Sequence, residues 1–64
     1  MNGKIKWYNP KKGYGFIEVE GEKDIFIHYS DVPQFMTLED GDSVTFDTSE
    51  TKRGFKAINI IKNS

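Results

Sequence analysis

Two short runs, Lys12-Gly13-Tyr14-Gly15-Phe16-Ile17 and Ile25-Phe26-Ile27-His28, place a ring on every second position. A strand sends successive side chains to opposite faces. Tyr14 and Phe16 therefore share one face while Ile17 and Val19 share the other, and Phe26 and His28 share a face backed by Ile25 and Ile27. An ordinary half-buried strand carries polar residues where these rings stand. The aliphatic side already supplies a core, so the rings are surplus to folding. Flat π faces about 7 Å apart, two strand residues, form a platform suited to stacking separate unpaired nucleobases.

Other chemistries find little support in the same residues. His28 is the single histidine, and no Ser, Cys or carboxylate stands at a spacing that would make a dyad with it. Gly13 and Gly15 lack the Lys-Ser/Thr and the helix of a phosphate-cradling loop, so their reading is conformational, a turn and a close packing position. With no cysteine and one histidine, neither a disulfide framework nor a thiolate or imidazole metal site is expected. The expectation is a non-enzymatic binder without a cofactor or small-molecule substrate. Two rival readings are a barrel whose aromatic strip grips a proline-rich segment and a minimal hydrolase.

Net charge is −1 and runs against phosphate binding, but the charges are segregated along the chain. Lys4, Lys6, Lys11 and Lys12 precede the first acid, and Lys52, Arg53, Lys56 and Lys62 follow the last. All ten carboxylates lie between Glu18 and Glu50, where Lys23 is the only Lys or Arg. This predicts a basic binding face and an acidic back, with Lys6, Lys12 and Arg53 as phosphate contacts. Lys4, Lys11, Lys52 and Lys56 read equally as phosphate contacts or as solvated surface charges.

The chain is 64 residues long, one small domain over 1–64 of a size that buries only about 60% of its surface on folding. No apolar run approaches the roughly 18 residues of a membrane span and no signal-peptide core follows Met1, so a cytoplasmic monomer with no membrane partner is expected. Strand signals cover Lys4–Asn9, Tyr14–Glu20, Asp24–Tyr29, Ser43–Thr48 and Phe55–Lys62, with Ile58 and Ile60 as the last buried stripe. Ser30–Glu39 is interrupted by Pro33 and allows at most a turn or a short 3₁₀ segment. Five strands and no covering helix predict an all-β, five-stranded antiparallel barrel. A hairpin loop centred on Gly21 puts Phe16 opposite Phe26 and Tyr14 opposite His28, the one register that gathers all four groups on one face.

The two runs resemble the paired ribonucleoprotein motifs of the cold-shock domain family. The similarity extends to Gly3-Lys4-Ile5-Lys6-Trp7-Tyr8-Asn9, to Thr37-Leu38-Glu39-Asp40-Gly41 and to Arg53-Gly54, and so covers essentially the whole chain. The resemblance implies an OB-type barrel that binds single-stranded RNA and DNA and melts weak secondary structure. It also implies stacking roles for Trp7 and Phe35. From pattern alone, strict alternation puts Trp7 with Ile5 toward the core unless a bulge turns it out; Phe35 reads equally as a plug of the barrel mouth. One of the adjacent rings Trp7 and Tyr8 must face partly inward, and Tyr29 beside His28 poses the same problem. Tyr stands at 8, 14 and 29 where the family usually has Phe, Asp31–Gln34 is shorter than in typical bacterial members, and Phe55 stands where those members often have Pro.

Overall fold

A computed structural model of the chain describes residues 1–33 and 36–63. Its strands are β1 (Asn2–Asn9), β2 (Tyr14–Glu18), β3 (Ile25–His28), β4 (Ser43–Thr51) and β5 (Gly54–Lys62), with a 3₁₀ turn at Tyr29–Asp31. They close into a barrel in the order β1-β2-β3-β5-β4. β1 belongs to both halves: its first residues pair with β4 and the rest with β2, Lys4 facing both Glu18 and Ser43. A ring with an odd number of strands cannot alternate direction all the way round. The parallel seam falls between β3 and β5, at Phe26↔Lys56, while the other pairings are antiparallel as expected.

The β2–β3 hairpin takes the odd register. Tyr14 faces His28, Gly15 faces Ile27, Phe16 faces Phe26 and Ile17 faces Ile25, with Gly21 in the left-handed region at φ +78°. The inner side holds Ile5, Ile17, Ile25, Ile27, Leu38, Val44, Phe46, Ala57 and Ile60, all buried. Phe16 and Phe26 are absent from that set and only half-buried.

One expected stripe is corrected. Ile58 is not a core partner of Ile60; Ala57 is. Thr45 pairs with Ile61 but Asp47 with Ile58, so β5 carries one extra residue against β4. The bulge centres on Asn59, at φ 51°, whose amide donates to Asp47 Oδ2 at 3.2 Å. That insertion brings residues three apart, Ala57 and Ile60, to the same inner side. Strand ends also move: β1 starts two residues early, β4 runs on to Thr51, and β2 stops before Val19.

The segment before β4 covers one end of the core with Leu38. Its anchor is Asp42, whose Oδ2 accepts the Glu39 backbone N–H at 2.9 Å and lies 3.1 Å from Lys62 Nζ. Lys62 Nζ also donates to Thr37 O at 2.9 Å. The Glu39 N–H, followed by Lys62, holds the Asp42 carboxyl below its ordinary value. In the window between the two values the unfolded chain binds the proton and the folded one does not. This contribution to stability is therefore complete above the usual carboxylate range and is lost as pH falls through the lower folded value. Urea titrations of the Asp42→Asn variant between neutral and strongly acidic pH should show a shallower loss of stability on the acid side than the parent; an unchanged acid limb would contradict this.

Candidate nucleic-acid interface

On the outer side of β2 and β3 the rings form a continuous array. Ring centroids are 5.8 Å apart for Phe16–Phe26, 6.0 Å for Tyr14–Phe26 and 6.3 Å for Phe26–His28. Trp7 joins from β1 at 5.4 Å from Tyr14 and 5.3 Å from Phe16. Most of these contacts are edge-to-face, the arrangement favoured by ring quadrupoles. Each ring is braced by neighbours at its edge and keeps exposed surface.

Trp7 is on this platform, and the cause is local. Ile5 pairs with Ile17 and Trp7 with Phe16, so Lys6 is an extra residue in β1 and the alternation resets there. Gly15 permits the bulge. A side-chain carbon at Gly15 would stand 2.7 Å from Tyr8 Cα and would also strike the Trp7 carbonyl. With that space empty, β1 closes on β2 and Tyr8, opposite Gly15, packs against the core. Tyr8 is thus the inward member of the pair.

Tyr29 is resolved by a strand end. β3 stops at His28, not Tyr29, because His28 caps the following 3₁₀ turn: its Nδ1 accepts the Ser30 N–H at 3.3 Å and lies 2.8 Å from Ser30 Oγ. In the neutral ring this leaves the proton on Nε2. Past the strand, alternation no longer applies, and Tyr29 comes to rest 4.6 Å from His28 with 61% of its surface exposed. Its N–H donates to Gly13 O at 2.9 Å, which ties the turn to the β1–β2 loop. Phe35 lies outside the described residues.

The three cations expected at the rim differ in their ion pairing. Lys12 and Arg53 are exposed and carry no ion pair among the described residues, whereas Lys6 Nζ sits 2.8 Å from Asp24 Oδ2. That hydrogen bond, together with the carboxylate charge, raises the Lys6 pKa. Lys56 likewise faces Asp31 at 3.2 Å, and Lys62 faces Asp42. Three of the eight terminal cations, Lys6, Lys56 and Lys62, thus pair with carboxylates from the acidic middle of the chain. Lys12 is carried on an ordered loop, where Asn9 Oδ1 accepts the N–H groups of Lys11 and Lys12 at 3.0 and 3.1 Å. The sequence leaves both Phe55 and Lys56 without an assigned role, yet both line a cleft beside Phe16, Phe26, His28 and Arg53. Only the strand order, which puts β5 next to β3, brings them there.

Gly15→Ala should lower stability by about 1–3 kcal/mol, the usual cost of overpacking, and shift the Trp7 emission as β1 moves off β2. A variant with parental stability and an unchanged emission spectrum would show that the close approach is not required.

Comparison with known proteins agrees with this arrangement. The family model for the 'Cold-shock' DNA-binding domain matches residues 1–63. The chain is 48% identical over 64 residues to the cold shock-like protein CspB of Bacillus cereus, covering 97% of this chain and 98% of that one. It is 50% identical over 62 residues to the cold shock protein CspA of Staphylococcus saprophyticus, covering 94% of each. Ring array, barrel and relatives converge: the chain belongs to the cold-shock domain family, whose members are nucleic-acid-binding and non-enzymatic.

Proposed function

We propose that the domain binds single-stranded RNA and DNA with little sequence preference, stacking successive bases on Trp7, Tyr14, Phe16, Phe26, His28 and Tyr29. Phosphates face Lys6, Lys12 and Arg53, and Phe35 adds a further ring. The observation that carries this reading is a ring array outside a core that is complete without it. Every base has a π face, so stacking tolerates sequence, and each stacked base contributes about 1–3 kcal/mol by alanine substitution.

A duplex hides those faces. Binding only to the open form draws transiently melted hairpins toward the single strand, to the extent of the difference in affinity. This is an RNA-chaperone activity that consumes no nucleotide. In a cytoplasmic monomer it would serve cold adaptation or control of transcription and translation, in keeping with relatives named as cold shock proteins.

Trp7 reports on the platform, so its fluorescence should be quenched by an oligo-pyrimidine and far less by a hairpin of the same composition or a proline-rich peptide. Phe16→Ala and Phe26→Ala should each weaken single-strand binding by about 1–3 kcal/mol in a domain that still folds. Unchanged binding by both variants would defeat the reading. With three cations on phosphate, log K should fall with log salt at a slope of about −2, from roughly −0.7 per contact on single strands. Lys6→Gln should make that slope shallower by about 0.7; no change would mean that Asp24 keeps Lys6 in the complex.

A further inference from the structure

We infer that Phe55 is a second wall of a seat for one unpaired nucleobase, an open cleft of about 460 Å³ that it lines together with Phe16, Phe26 and His28. The inference rests on the single-strand reading and extends it from stacking on one surface to enclosure between two.

Phe55 has no part in the fold that would explain it. It is 55% exposed, lies outside the core, and makes no ring contact among the described residues. By alternation it belongs to the Ala57 side of β5, yet Ala57 is fully buried and Phe55, at the start of the strand, is exposed. The next residue, Lys56, pairs with Phe26 across the parallel seam, which brings this end of β5 against the platform.

The wall is held in place. Thr51 Oγ1 donates to Gly54 O at 2.7 Å and accepts the Arg53 N–H at 3.2 Å, so one hydroxyl braces both sides of the turn that leads into Phe55. The charges at the rim select the occupant. Lys56 is matched by Asp31 at 3.2 Å, whereas Arg53 has no ion pair among the described residues. An aromatic slot with one uncompensated guanidinium beside it suits a flat, neutral ring linked to a single anion, as in one nucleotide unit. An apolar peptide would leave the guanidinium unanswered.

The test is a length series of unstructured oligo-pyrimidines titrated against the parent domain and Phe55→Ala, Phe55→Leu and Phe55→Trp, with Trp7 quenching as readout except in the last, which needs calorimetry. Phe55→Ala should unfold at the parental temperature, bind the shortest strands as the parent does, and bind longer ones about fivefold or more weakly. Phe55→Leu should follow Phe55→Ala, and Phe55→Trp should retain parental affinity. Parental binding that is equal in Phe55→Ala at every length overturns the seat and leaves the platform intact. Full affinity in Phe55→Leu overturns it too, because bulk and not a π face would then suffice. A parent that binds no strand overturns the single-strand reading itself.

Discussion

The register of the β2–β3 hairpin decides where every ring goes. Ile17, Ile25 and Ile27 point inward together only because Tyr14, Phe16, Phe26 and His28 point outward together. A one-residue slip of β3 against β2 would reverse the β3 set. It would return Ile25 and Ile27 to water, each losing about 1.5–3 kcal/mol of burial, and force Phe26 and His28 in among the seven other core side chains. The platform is thus positioned by residues on the opposite, buried side of the sheet. Its own cost is moderated by mutual packing, since edge-to-face ring pairs contribute about 0.5–1.5 kcal/mol each beyond simple burial. In so small a domain that matters, because little core is available to offset exposed apolar surface.

Alternation made most of this readable from the chain: the aliphatic side, the four central rings, the register and the barrel. What it missed occurs where alternation is broken. Trp7 depends on an extra residue at Lys6, and the bulge depends in turn on an absent side chain across the ladder at Gly15, a pairing that no local pattern exposes. Ile58 was misassigned because Asn59 inserts a second bulge in β5. Tyr29 needed the end of β3, which is set by the His28 side chain capping its own downstream turn. Phe55 and Lys56 needed strand order, a tertiary property. The parallel β3–β5 seam departs from the purely antiparallel barrel read from the sequence, although closing an odd number of strands requires it.

Charge was the least legible feature. Blocks of one sign along the chain suggested a polarised surface, but folding set Lys6 against Asp24, Lys56 against Asp31 and Lys62 against Asp42. Exposed pairs of this kind are weak in water, so a phosphate can displace a carboxylate from Lys6 at small cost. On the proposed reading, the rim would guide and orient a strand while the rings supply most of the affinity. A domain of net charge −1 can bind a polyanion on those terms.

The central claim is that ligand meets the ring side of the sheet and leaves the isoleucine side untouched. It is tested most directly by NMR spectra of aromatic and methyl groups recorded with and without an oligo-pyrimidine. The account predicts large shifts for the Trp7, Phe16, Phe26 and His28 rings and unmoved methyls at Ile5, Ile17, Ile27 and Val44. Shifts concentrated on another surface, with those four rings silent, would contradict it.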